Sequence, residues 1–187
     1  MNFIKKIKNY IDKEKEVLDR LELQTINEAM NALLKARDEK KHIFIMGNGG
    51  SAATASHYAG DFNKGLSLNR DKKFRFYCLN DNAATVLSLA NDVCYEEIFV
   101  QQLKNFMDPG DIVIGISGSG NSENIIRAVK YAKEKKNLVI GMTGYDGGRL
   151  KELADIKLHV PVSDMQITED IHMMYNHLIM SILYNEE

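Results

Sequence analysis

Residues 42–61 contain a glycine-rich loop followed by two ionisable side chains on one predicted helix. Three glycines and a serine in residues 47–51 (GNGGS) separate an apolar run from an alanine-rich stretch. Glycine allows positive φ and close approach of a ligand, and a helix N-terminus attracts anions through its free N–H groups and its dipole. About two turns further on, His57 and Asp61 stand four residues apart and so share one face of the helix. The pattern predicts an anion cradle with an imidazole and a carboxylate nearby.

Structural explanations remain open for each of these features taken alone. A glycine loop ahead of a helix is common in α/β proteins. This loop has neither the dinucleotide-binding fingerprint nor the lysine of a nucleotide-binding loop, so no nucleotide cofactor is expected. His57 and Asp61 could equally form an ordinary ion pair on a helix surface.

A second polar loop, residues 117–122 (SGSGNS), follows the unbroken apolar run 112–116. Hydroxyls and backbone amides can hold a phosphate dianion through several hydrogen bonds without any lysine. A helix cap at Asn121 or Ser122 would explain one polar residue here but not Ser117 or Ser119. Together, the two loops predict a phosphate site.

The last predicted helix carries three further ionisable residues. At 100° per residue, Glu169 and His177 are about 80° apart and share a face, whereas His172 lies on the other side of Glu169. One of the two histidines is expected to be structural, as are His42 and His159 in predicted strands.

Five apolar runs alternate with helical patterns, which predicts an α/β fold with a parallel sheet and right-handed crossovers. In such sheets, ligands bind beyond the carboxyl ends of the strands. The predicted strands are residues 42–46, 74–79, 112–116, 138–142 and 156–160. Helices are expected at 81–91, 95–107, 123–136 and 165–184, and residues 146–148 open a short one.

Two helices are predicted ahead of the first strand. Apolar residues at helical spacing fill residues 3–21, and residues 25–28 (TINE) have the form of a capping box that starts a second helix. This helix pair could pack on another subunit or fold back on its own domain.

Composition narrows the class of protein. The 187 residues suit one domain, and a net charge of −2 gives no electrostatic case for binding nucleic acid or an anionic membrane. No signal peptide or apolar run of membrane-spanning length is present, and Cys78 and Cys94 lack metal-site spacing. A cytoplasmic protein is expected.

The two loops together resemble those of the sugar isomerase (SIS) domain, and the wider match is to phosphoheptose isomerases. These enzymes interconvert sedoheptulose 7-phosphate and a heptose 7-phosphate. The resemblance covers nearly the whole chain as a single SIS domain, residues 1–187, with residues 1–40 used in oligomer packing. It implies a flavodoxin-like five-stranded parallel sheet flanked by helices, and a homotetramer whose active sites are shared between subunits.

The resemblance also implies roles for individual residues. Those bordering the substrate would be Asn48, Gly49, Gly50, Ser51, Asp92, Ser117, Gly118, Ser119, Ser122 and Glu169. The phosphate falls to the four serines, and Asn48 and Asp92 contact the sugar. A metal, usually zinc, would be bound by His57, Asp61, Glu169 and His177. Asp61 falls on the position of the catalytic base and His177 on that of the acid.

Three residues depart from the family pattern: Asp61 replaces Glu, Glu169 replaces Gln and Gly118 replaces Thr. Losing a methylene draws the carboxylate at position 61 back by roughly 1.5 Å. The leading hypothesis is a ketose–aldose isomerase that acts on a sugar phosphate, sedoheptulose 7-phosphate above all, through a metal-stabilised enediolate. The alternatives are an isomerase of another sugar phosphate and a non-catalytic phosphosugar-binding or assembly protein, since SIS domains also occur in regulators.

Overall fold

Five short apolar runs form one parallel sheet in the computed structural model, which describes residues 1–186. The strand order is β2-β1-β3-β4-β5, and every pairing is parallel. The strands are β1 Ile43–Gly47, β2 Phe76–Cys78, β3 Ile112–Ser117, β4 Leu138–Thr143 and β5 Ile156–His159. The predicted α/β class and five-stranded sheet are confirmed.

Helices cover both faces of the sheet, so all residues of β1 and β3 are buried. This burial on two sides explains why the strands are unbroken apolar runs rather than alternating ones. The helices are α1 Ile4–Leu18, α2 Leu23–Asp38, α3 Gly50–Gly60, α4 Ala83–Asp92, α5 Val100–Phe106, α6 Glu123–Glu134, α7 Gly148–Leu153 and α8 Met165–Glu186. One core lies between the sheet and α2, α3 and α8, and the other contains residues of α5, α6 and α7. None of the described helices has the length and apolar composition needed to cross a membrane.

Two local predictions were wrong. The second helix begins at Leu23, two residues before the predicted capping box. Thr25 therefore lies inside the first turn, where its hydroxyl donates to the Glu22 carbonyl (2.8 Å) instead of accepting from a backbone N–H. The helix predicted over 95–107 is broken into the 3₁₀ turn Tyr95–Glu97 and α5. The residues Ile98, Phe99 and Val100 between and at the start of these elements are all buried.

The N-terminal helix pair is present, and its two helices differ in burial. The α2 helix buries Ile26, Ala29 and Leu33 against the sheet core, whereas α1 buries only Val17. Tyr10 and Lys13 attach α1 to α8 and the segment before it, through Asp170 (2.5 Å) and Asp164 (2.6 Å). Most of the predicted apolar face of α1 stays exposed on the single chain.

Candidate functional site

The two polar loops adjoin at the carboxyl edge of the sheet because β1 and β3 are neighbours in register, with Gly47 opposite Ile116. Between the loops and α8 lies a cleft of about 290 Å³. The residues that line it are Asn48, Gly49, Gly50, Ser51, Ile116, Ser117, Gly118, Ser119, Ser122, Met165 and Glu169. Nine of the ten predicted substrate-site residues therefore border one cleft, Asp92 being the exception.

The first loop turns sharply into α3. Gly49 has φ +56° and ψ −123°, a conformation that only glycine adopts without strain. The Asn80 side chain, two residues beyond the end of β2, holds the loop by donating to the Gly47 carbonyl (2.9 Å) and accepting from its N–H (3.1 Å). Ser51 is buried in the first turn of α3, so its hydroxyl and the helix N-terminus lie together in the cleft.

Two hydroxyls of the second loop face each other. Ser122 is the N-cap residue of α6, but its side chain makes no capping hydrogen bond, and its Oγ lies 3.2 Å from Ser117 Oγ. Gly120 has φ +66°, and a Cβ there would come within 1.9 Å of the Gly147 carbonyl oxygen. The loop is therefore clamped against residues 144–148, and helix capping does not use its hydroxyls.

Two α8 side chains close the other wall of the cleft. A Cβ on Gly118 would meet Met165 Sδ at 2.6 Å, and one on Gly50 would meet Glu169 Oε2 at 2.5 Å. Met165 thus fills the space beside the glycine at position 118. Glu169 brings a carboxylate against the first loop, and no lysine or arginine is among the described residues that line the cleft.

Asn48 is held at the cleft by residues that we did not predict from the sequence. Its amide forms a reciprocal pair with that of the buried Asn124, with both N···O distances 2.9 Å, and the Tyr95 hydroxyl donates to its Oδ1 (2.9 Å). Asp92 is exposed at the end of α4 and accepts from the Asn91 amide (2.8 Å). It lies outside the residues that border the cleft in one chain.

Three predicted site residues form a second group, between α3 and α8. The ligand-capable atoms of His57, Asp61 and His177 all lie within 4.8 Å of one another. His57 Nε2 is 3.3 Å from His177 Nε2 and 3.2 Å from Asp61 Oδ2. We call these three residues the triad. Glu169 does not belong to it in the described chain, because its carboxylate faces Gly50, about 12 Å along α8 from His177.

The backbone changes helical form at Asp61. This residue ends α3 and begins a π-turn, Asp61–Gly65, in which the Leu66 N–H donates to the Asp61 carbonyl (3.0 Å). Turns of this kind are rare and often accompany functional sites. Asn176, fully buried on α8, donates from Nδ2 to Asp61 Oδ2 (2.6 Å). The only sign of this contact in the sequence was a polar residue on a largely apolar helix, next to His177.

His172 is the structural histidine of α8. It is 1% exposed, its Nε2 lies 3.3 Å from the Thr143 carbonyl, and burial lowers the pKa of its imidazole to about 4. His159 Nδ1 lies 3.0 Å from Thr143 Oγ1, and burial also lowers the pKa of His159. Both rings contact the end of β4 rather than the cleft or the triad.

Known proteins resemble this chain in sequence along nearly its whole length. The family model described as SIS domain matches residues 9–144. The phosphoheptose isomerase of Clostridium acetobutylicum is 38% identical over 187 residues, covering 99% of this chain and 95% of that protein. The Helicobacter pylori enzyme of the same name is 34% identical over 181 residues, covering 92% and 93%.

Solved structures also resemble this chain along nearly its whole length. A phosphoheptose isomerase from Francisella tularensis matches with a TM-score of 0.90 and 26% identity, over 99% of this chain and 100% of that one. One from Neisseria gonorrhoeae has a TM-score of 0.88 and 26% identity, over 97% and 98%. The sugar isomerase domain of a Sphaerobacter thermophilus RpiR transcription factor, at TM-score 0.69 and 18% identity, shares the fold.

Proposed function

The chain belongs to the SIS domain family, and we propose that it is an enzyme that interconverts the ketose and aldose forms of a phosphorylated sugar. The substrate we propose is sedoheptulose 7-phosphate, converted to a heptose 7-phosphate. The observation that carries the proposal is the meeting of Asp61 with His57 and His177, from α3 and α8, the two helices that also border the serine-lined cleft.

The cleft suits the phosphate group. Four serine hydroxyls, those of Ser51, Ser117, Ser119 and Ser122, supply hydrogen bonds to a dianion, and the N-termini of α3 and α6 add favourable dipoles. The Glu169 carboxylate would repel that dianion from its present position beside Gly50. Phosphate binding therefore requires the Glu169 side chain to turn away from Gly50. If it turned along α8 toward the triad, its carboxylate would come closer to the metal, for which the family resemblance implies Glu169 as the fourth ligand.

The triad fits a zinc ion. In a tetrahedral zinc site with bonds of about 2.0–2.1 Å, neighbouring ligand atoms lie about 3.3–3.4 Å apart. The separations of 3.3 Å between the two imidazole nitrogens and 3.2 Å between His57 and Asp61 agree with that geometry. Two imidazoles and a carboxylate are also donors that zinc accepts, and these three leave a fourth position for Glu169 or for a substrate oxygen. A zinc ion held there would supply Lewis-acid stabilisation of negative charge on the substrate oxygens.

The proton transfers fall to Asp61 and His177. Asp61 Oδ2 is occupied by Asn176 and His57, whereas Oδ1 accepts no hydrogen bond from the described residues and is available as the base. Asp61 removes the proton from the carbon beside the carbonyl, and His177 donates a proton to the carbonyl oxygen, which gives the enediol form. Because His177 Nε2 faces His57 and would bind the metal, the proton that His177 donates would come from Nδ1.

The assembly we propose is a homotetramer of single SIS domains, residues 1–187, whose N-terminal helices lie between subunits. The apolar side chains Ile4, Ile7 and Ile11 of α1 are 71%, 56% and 45% exposed on one chain, which supports their burial against another copy. Asp92, which lies outside the cleft of its own chain, would then reach the cleft of a neighbouring subunit.

Incubation of the purified protein with sedoheptulose 7-phosphate, followed by NMR of the anomeric protons, tests the proposed reaction. We expect an aldose heptose 7-phosphate to appear and zinc to increase the rate. A panel of other phosphorylated ketoses, run in parallel, tests the choice of sugar. No turnover of any of them, with or without zinc and beside an active control enzyme, would overturn the isomerase proposal.

A further inference from the structure

Asn176 occupies a position that packing alone does not explain. Its side chain is fully buried on α8, and Nδ2 donates to Asp61 Oδ2 at 2.6 Å. Its Oδ1 is buried as well and has no hydrogen-bond partner among the described residues. The amide cannot be turned to relieve this, because Oδ1 would then face the Asp61 carboxylate.

A buried carbonyl oxygen without a partner destabilises the folded state. Leucine has the branched arrangement of asparagine and a larger volume, and it has no polar atom to leave unpaired. Asp61 is partly exposed, with 23% of its side chain accessible, so water could replace the amide as its hydrogen-bond donor. The amide at position 176 therefore contributes little to the stability of the fold. Its hydrogen bond to Asp61 is the feature that explains an asparagine at this position.

We propose that Asn176 is a positioning residue that fixes the rotation of the Asp61 carboxylate. Oδ2 is held by Asn176 on one side and lies 3.2 Å from His57 Nε2 on the other, whereas Oδ1 has no hydrogen-bond partner among the described residues. A short, tightly bonded carboxylate thus stays in reach of the two imidazoles and keeps one oxygen for the substrate. This inference rests on the metal and base roles of Asp61 in the proposed function.

The test compares two substitutions of buried asparagine by leucine. In Asn176→Leu, we expect a melting temperature near that of the wild type, because removal of the unpaired carbonyl offsets the larger side chain, with Zn²⁺ affinity lowered 10- to 100-fold in competition with a chromophoric chelator. The matched control is Asn137→Leu. Asn137 is also buried, but both of its polar atoms are bonded, to Gly110 N (2.8 Å) and Asp108 O (3.1 Å). That variant should melt at a lower temperature and keep wild-type Zn²⁺ affinity.

The coupling between the two residues is measured in an Asp61→Ala background, where Asn176→Leu should change Zn²⁺ affinity less than twofold. Wild-type Zn²⁺ affinity in Asn176→Leu, or equal effects in both backgrounds, would overturn the inference. A second measurement needs no metal: the Asn176 side-chain amide protons should exchange slowly in the wild type and quickly in Asp61→Ala. If the wild type binds no Zn²⁺, the proposed metal site fails, and amide exchange still decides whether Asn176 holds Asp61.

Discussion

The Nε2 atoms of His57 and His177 lie 3.3 Å apart, although 120 positions separate the two residues in the chain. Two imidazole nitrogens at this distance either share one proton or bind the same ion. The packing of α3 against α8 produces the contact, with the buried Tyr58 hydroxyl donating to the His172 carbonyl (3.4 Å) between the same helices.

Replacing one of these imidazoles should remove the metal. We expect His177→Ala to lower Zn²⁺ affinity by about 100-fold or more, because a three-ligand site loses a ligand. Zinc content after dialysis, determined by mass spectrometry, measures the effect. His42→Ala, which changes a partly exposed imidazole beside Asp111, is the control and should retain zinc. Equal zinc content in the two variants would contradict the proposed site.

Asp61→Ala separates an enzyme from a non-catalytic binding protein. Loss of the base should lower kcat by about 10²- to 10⁴-fold. Phosphosugar binding, followed by calorimetry, should persist because the serine-lined cleft does not include Asp61. Undiminished turnover would show that another group is the base. Lost binding would show that Asp61 contributes to affinity rather than to chemistry alone.

Ser117→Ala should weaken binding of the phosphate without slowing the chemical step. Removing one hydrogen bond to a dianion costs about 1.5–3 kcal/mol, so KM should rise about tenfold or more while kcat changes little. The control is Ser88→Ala, because the Ser88 hydroxyl donates only to the Thr85 carbonyl (3.1 Å) on exposed α4. A fall in kcat at constant KM would argue against a phosphate at Ser117.

Two glycine substitutions should have opposite effects on folding. A Cβ on Gly60, in regular helical geometry, would meet no atom within 4 Å, so Gly60→Ala should stabilise the fold by about 1 kcal/mol. Gly120→Ala should destabilise it by several kcal/mol, about 1–3 from the positive φ alone, because the Cβ would also collide with the Gly147 carbonyl. Urea unfolding measures both, and a stable Gly120→Ala variant would contradict the clamped loop.

His172 should make the folded state sensitive to acid. Burial lowers the pKa of its imidazole from 6.5 to about 4 in the folded protein, so between these values the unfolded chain binds the extra proton. The free energy of unfolding therefore rises with pH across this window, and about 3 kcal/mol is lost when the pH falls from above 6.5 to below 4. Urea unfolding of the wild type and of His172→Gln at several pH values tests this. The same pH slope in both proteins would contradict it.

The sequence alone determined the sheet and the edge at which the two polar loops lie. The five apolar runs needed no tertiary information, because a strand covered on both faces is apolar throughout. The loops after β1 and β3 could likewise be placed at one edge in advance, since all strands of a parallel sheet have their carboxyl ends there. Gly49 and Ser117 were therefore expected in one site, and they border the same cleft.

Only the tertiary structure decided which polar side chains meet. Helical periodicity placed His57 beside Asp61 and put Glu169 on the face of His177. It could not show that α3 packs against α8 so that His57 and Asp61 meet His177, while Glu169 lies at the cleft. It was equally silent on Asn176, whose role depends on a contact 115 residues away. Local patterns fix which face of a helix a residue occupies. The crossing of two distant helices is set instead by the packing of the whole core, and here that crossing brings a carboxylate, an amide and two imidazoles together.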